Sequence, residues 1–172
     1  MITLTTKLIS LGNEVFYQGF HIPNESVADL IKDAKDRRFI CRLESGYEWH
    51  CALMPGGDGD FFINVNKKIR STHGLEENQE NIVIQLKKDE SEYGMPVPEE
   101  LVELWAMDQE GWDLFNALTP GKQRSLLYRI GKPKTSETRI KKAILINDYL
   151  KSTGGNLDFV ELNLYIKEHN RR

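Results

Sequence analysis

The chain is 172 residues long, 40% apolar and 28% charged, with a formal net charge of −3. That length makes one domain or two small ones, with enough core to hold together without a metal or a disulfide. The composition excludes a collagen, a disordered chain and a membrane span, and the charge does not mark a nucleic-acid binder.

At the N-terminus Lys7 interrupts the one candidate apolar run, and no small-residue cleavage site follows. No stretch approaches about 18 consecutive apolar residues. A cytoplasmic, reduced location is therefore expected. Short β-rich runs over 1–10 and 14–22 are separated by Gly12-Asn13. A helix is predicted from Ser26, with Asp29 three residues later as a capping-box variant and Val27, Leu30, Ile31 and Ala34 as its stripe.

The next hairpin can be registered by pattern. Phe39, Cys41 and Leu43 alternate on one strand; Tyr47, Trp49, Cys51 and Leu53 alternate on the next. A three-residue loop Glu44-Ser45-Gly46, with Gly46 left-handed, sets Leu43 opposite Tyr47, Cys41 opposite Trp49 and Phe39 opposite Cys51. Arg42 then faces Glu48 on the polar side, and His50 lies beside Ile40. Cys41 and Cys51 fall on a diagonal about 7–8 Å apart, too far for an easy disulfide, so both read as small buried hydrophobes.

Pro55-Gly56-Gly57-Asp58-Gly59-Asp60 reads as a turn, followed by a strand over 61–65. Asn66 caps a short helix through Thr72, Gly74 ends it, and Ile82, Ile84 and Leu86, or their alternates, mark the last strand. Short, evenly spaced strands with Gly-rich turns predict a small β-barrel. After Pro96 and Pro98 the period becomes helical. Leu101, Leu104 and Trp105 mark one helix, and Trp112, Phe115 and Leu118 a second. Thr119-Pro120 opens a third that stops near Gly131. Thr135 or Ser136 opens a fourth, with Ile140, Ala143, Ile144 and Leu150 on one face, ended by Gly154-Gly155. Asp158 caps a fifth with Phe159, Leu162 and Ile166 inward. The expected fold is α+β: a closed or nearly closed barrel with two short helices over 1–92, then a helical bundle over 93–172.

Charge is unevenly spread. Residues 76–113 carry twelve acids and two bases, whereas residues 122–142 carry eight bases and Glu137 as their one acid. The basic stretch makes Lys122, Arg124, Lys134 and Arg139 candidates for binding an anion or nucleic acid. The bland alternative is that two oppositely charged segments solvate helix faces and partly neutralise each other.

Catalytic patterns are missing. The Gly-rich loop has no following Gly-Lys-Ser/Thr and precedes a strand, so it is no phosphate loop. Twelve residues counted from Asp58 end at Ile69 rather than Glu, so it is no EF-hand. None of His21, His50, His73 and His169 pairs at metal spacing, and no Gly-x-Ser-x-Gly elbow occurs. No enzyme activity, cofactor or metal is expected. A barrel mouth can still hold a ligand. Trp49, Lys67, Arg70 and Asp89 are the candidate ligand-binding residues.

Two groups of motifs carry a resemblance. Pro96-Val97-Pro98-Glu99-Glu100-Leu101, then Phe115 through Lys122, then Lys134-Thr135-Ser136-Glu137-Thr138-Arg139 resemble the bacterial bacteriocin-protection family described as YdeI or OmpD-associated. Leu53-Met54-Pro55, Gly59, Phe62 through Lys67, Arg70, Gly74 and Leu86 through Asp89 look like the domain of unknown function that often precedes it. The resemblance covers roughly residues 14–152. It implies a closed or nearly closed N-terminal barrel and a link to tolerance of antimicrobial peptides; it brings no catalytic residue. The leading expectation is a non-enzymatic binding protein whose partner is a small ligand or peptide, held at the barrel mouth and the barrel–bundle junction. In it, the acidic segment 76–113 attracts a cationic peptide. The alternative is a nucleic-acid-associated regulator using 122–142, with nucleic acid the less favoured partner.

Overall fold

The computed structural model describes residues 1–12, 16–32 and 37–170. The chain divides into two compact units, Met1–Glu90 and Ser91–Arg172, each with its own apolar core.

The first unit contains strands β1 (Ile2–Thr6), β2 (Leu8–Ser10), β3 (Gln18–Ile22), β4 (Arg38–Leu43), β5 (Glu48–Ala52), β6 (Met54–Pro55), β7 (Phe61–Asn64) and β8 (Ile82–Lys88), with helices α1 (Asn24–Lys32) and α2 (Lys67–His73). The strands form two four-stranded antiparallel sheets, ordered β1-β8-β4-β5 and β2-β3-β7-β6. No closed barrel forms among the described residues. The reason lies at two corners. Lys7 alone separates β1 from β2, and Leu53 alone separates β5 from β6. At each the chain leaves one sheet for the other, a known way for strands to turn between two packed sheets. The corner groups are satisfied: the Lys7 carbonyl accepts from His21 N–H at 3.1 Å, and Leu53 N–H donates to the Arg37 carbonyl at 3.0 Å. Leu8, Phe20, Phe39, Ile63 and Ile84, drawn from both sheets, are fully buried in one core.

The hairpin register is as the pattern required. Phe39 pairs with Cys51, Cys41 with Trp49 and Arg42 with Glu48, and Leu43 N–H donates to the Tyr47 carbonyl at 3.0 Å. Gly46 has φ 84°, the conformation that lets three residues close the turn. Both cysteines are free and buried. Burial pushes the Cys51 thiol up to about 12, and the Cys41 thiol still further. These are inert side chains.

Two local expectations change. α1 starts at Asn24 rather than at Ser26, because its cap is tertiary: the Asp60 Oδ1 atom accepts from Asn24 N–H at 2.9 Å. Asp29, expected to complete a capping box, instead pairs with Lys32 at 2.8 Å. Ala34, Asn13 and the first residues of the 14–22 run lie outside the described residues. α2 keeps its expected ends, with the Asn66 side chain accepting from Ile69 N–H and Gly74 left-handed at φ 61°.

The second unit holds α3 (Glu99–Met107), α4 (Gln109–Asn116), α5 (Pro120–Gly131), α6 (Ser136–Ser152) and α7 (Phe159–His169). No described helix is long and apolar enough to cross a membrane. α6 packs against the other four helices. That burial rotates the expected stripe: Ala143, Leu145, Ile146, Asn147, Tyr149 and Leu150 are buried, while Ile140 and Ile144 are exposed. The polar Asn147 is tolerated inside because its Nδ2 donates to Asp108 Oδ2 at 2.7 Å. Asp108 also caps α4 through Gly111 N–H at 3.1 Å and accepts from Lys151 Nζ at 2.6 Å. It thus ties the α3–α4 corner to α6.

Candidate functional site

The described residues of the helical unit form a groove of about 540 Å³. Its walls are the Met95–Pro98 segment and the first turn of α3 on one side, and Leu127, Tyr128 and Gly131 of α5 on the other, with Lys132 and Arg139 at the rim. The local sequence explains the shape. Pro96 and Pro98 cannot continue a helix backwards, so the chain reaches α3 extended. Pro98 holds φ −59° at the cap position, and its carbonyl accepts from Leu101 and Val102. On α5, Gly131 carries no side chain to fill the space facing Pro98; a Cβ there would sit 3.4 Å from the proline ring. Tyr128 stands at the edge, 59% exposed, with the Lys132 ammonium 5.8 Å from its ring centre.

One end of the groove is locked by charge. Arg139 Nε donates to Glu100 Oε1 at 2.9 Å, and Arg139 Nη2 lies 2.7 Å from the same oxygen. The Ser136 hydroxyl donates to that oxygen as well, at 2.7 Å. Arg139 Nη1 donates to the Pro133 and Lys134 carbonyls, each at 3.1 Å. The Pro-x-Pro-Glu-Glu and Lys-Thr-Ser-Glu-Thr-Arg pieces therefore meet in space. Hydrogen bonds from Arg139 and then Ser136 bring the Glu100 carboxyl down to about 2. Its pKa is depressed in the folded state, so its stabilising contribution is complete above the ordinary value of 4.5 and disappears as pH falls toward about 2. Glu100→Gln is expected to lower the melting temperature at neutral pH and to shrink the difference from wild type across that acid window. Circular dichroism melts at stepped pH check this. Asp108 and Asp158 are also held low, by Lys151 and by backbone N–H groups respectively, so both proteins keep some acid sensitivity.

The sequence-derived candidates have separate partners. Arg139 is in the lock just described. Lys122 Nζ donates to the Leu157 carbonyl at 2.9 Å, Lys134 is exposed, and Arg124 is half-buried on α5. Two more cations of the basic stretch are engaged internally, Arg129 with Asn163 and Lys142 with the Arg129 carbonyl. In the first unit Arg70 Nη1 donates to the Val65 carbonyl at 2.6 Å, and Lys67 is exposed at the start of α2. Trp49 is half-buried against Phe20 and Tyr47, with ring centres 6.2 and 5.9 Å away. The Asp89 side chain is fully enclosed, and its carboxylate lies 2.7 Å from His50 Nδ1. Of these groove residues, Tyr128 has no signal in the sequence, Gly131 is marked there only as a helix end and Lys132 only as one base of the 122–142 stretch.

The groove falls within residues 94–150, which match the family model described as "Bacteriocin-protection, YdeI or OmpD-Associated". Residues 5–84 match the model described as "Domain of unknown function (DUF1905)". Comparison with curated proteins and with solved structures returned no match. The motif pieces that meet at Glu100 and Arg139 are those that carried the resemblance, and the two models together span most of both units. The helical unit is thus similar to the bacteriocin-protection, YdeI or OmpD-associated family over residues 94–150, and the N-terminal unit to the domain of unknown function over residues 5–84.

Proposed function

We propose that the protein is a non-enzymatic binding protein of the bacteriocin-protection type, and that its helical groove takes a short amphipathic peptide of the antimicrobial kind. The observation that carries this reading is the groove's build. An apolar lining of Met95, Val97, Pro98 and Leu127 is edged by an exposed tyrosine and by Glu99 and Lys132. Its volume lies in the range of ligand sites, and a mainly apolar wall with a few charges is their usual chemistry. Glu100 and Arg139 neutralise each other, so the groove presents no excess of positive charge to draw a phosphate backbone. The match of residues 94–150 to a family model described as bacteriocin-protection supports an antimicrobial peptide as the guest.

The test is calorimetric titration of the full chain with an amphipathic cationic antimicrobial peptide at low and high salt, with a DNA duplex as the comparison arm. Saturable heat with the peptide is expected, persisting in part at high salt because the contact is largely apolar. Tyr128→Ala, on an exposed side chain, is expected to weaken binding at least about fivefold, the scale of a contact aromatic, with the melt unchanged. Silence with the peptide at low salt, or salt-sensitive binding of the duplex alone, overturns the proposal.

A further inference from the structure

Three metal-ligating groups of the N-terminal unit converge, although the sequence places His21 39 residues before Asp60. His21 on β3, Asp58 in the Gly-rich turn and Asp60 at the end of that turn each offer one donor atom, all within 4.8 Å of one another. His21 Nε2 and Asp60 Oδ2 are 3.0 Å apart. Ligands bound at about 2.0–2.2 Å to one ion subtend about 90° at such a separation, the octahedral angle, and opening the pair by about 0.4 Å gives the tetrahedral one of zinc. The geometry points to a binding site for a divalent first-row transition-metal ion held by His21, Asp58 and Asp60.

Two of the donors are fixed in advance. His21 has both backbone groups engaged at the first corner: its N–H donates to the Lys7 carbonyl, and its carbonyl accepts from the Thr6 hydroxyl. Asp60 has one carboxylate oxygen held by Asn24 N–H at 2.9 Å, which leaves the other turned to the imidazole. Asp58 completes the set from an exposed position, its Oδ1 held at 3.1 Å by Asp60 N–H. The His21 and Asp60 side chains keep 27% and 34% exposure, so an ion can enter from solvent. His21 also lines a cavity of about 240 Å³ with Thr5, Lys7 and Glu80. An imidazole nitrogen with two carboxylates suits Zn²⁺ or Mn²⁺; Mg²⁺ and Ca²⁺ prefer oxygen throughout. The turn thereby gains a role that neither a phosphate loop nor an EF-hand could give it, because its missing ligand comes from β3, 39 residues before Asp60.

The experiment is calorimetric titration of tag-free full chain with Zn²⁺, repeated with Mg²⁺, alongside NMR of the histidine side-chain nitrogens. One equivalent of Zn²⁺ is expected to bind and to shift the His21 ring resonances, with Mg²⁺ giving no matching signal. His21→Gln and Asp58→Asn should each weaken binding by at least about tenfold, since even outer-shell changes at metal sites cost 10- to 100-fold. Asp58 is exposed, so Asp58→Asn decides the matter if His21→Gln fails to fold. No saturable binding, or binding undiminished in Asp58→Asn, overturns the inference. The groove plays no part in either result, so this site and the peptide reading stand or fall separately.

Discussion

Gly111→Ala is expected to destabilise the helical unit by about 2–4 kcal/mol, above the usual cost of overpacking a core. Gly111 is buried in the first turn of α4. A Cβ built there overlaps the side-chain amide of Asn147, itself buried at 4% exposure. The amide cannot step aside cheaply, because its Nδ2 donates to Asp108. Moving it leaves a buried amide short of an acceptor and loosens the carboxylate that also holds Lys151 and caps α4. Hydrogen exchange resolved by residue is the informative readout. Protection should fall across α3, α4 and α6 together, whereas an ordinary propensity effect of glycine to alanine in a helix would raise stability. A melt equal to wild type would show that the corner can repack around the methyl group.

Phe20→Ala should cost the N-terminal unit about 3–5 kcal/mol, the usual range for deleting a fully buried phenyl ring. Phe20 is 0% exposed, packs on Trp49 and sits on β3 opposite Leu8 and Ile63. It therefore fills the space between the two sheets from the sheet that has fewer long strands. Urea unfolding followed by the NMR signal of the Trp49 indole, resolved from those of Trp105 and Trp112, checks it. A loss of only a few tenths of a kcal/mol would mean that the two sheets close over the gap.

The hairpin over 38–52 was legible because everything that fixes it is local. Period-two alternation, a three-residue turn and one glycine with positive φ leave a single register. Most helix limits were legible for the same reason, since Asn66, Thr135 and Asp158 accept hydrogen bonds from the turns they open. The failures share a cause of the opposite kind. α1 is capped by a carboxylate 36 residues further on, which no window around Ser26 contains. The barrel was over-read because Lys7 and Leu53 carry no glycine or proline to announce that the chain changes sheet. The stripe on α6 was misplaced because a helix flanked by four others buries more than one face.

The candidate site was half legible. Pro96, Pro98, Glu100 and Arg139 stood out as motif residues, yet Arg139 read as an anion-binding cation. In the fold its donors go to Glu100 and to two carbonyls of its own loop. A run of positive charge says nothing about how many of its members already have acceptors. His21 with Asp58 and Asp60 was missed because metal spacing was sought along the chain, whereas β3 and the turn before β7 supply it across the sheet.

The pairing of β1 with β8, Ile2 against Leu86, sets the order in which this unit can be assembled. A growing polypeptide exposes its first strand long before the partner has left the ribosome, and β4 has to wait for the same late arrival on its other edge. Non-local pairing of this kind slows folding and prolongs the life of unpaired edges. Nascent chains stalled before residue 82 should therefore be easily cleaved by protease, and release of the last seven-residue strand should bring resistance in a single step.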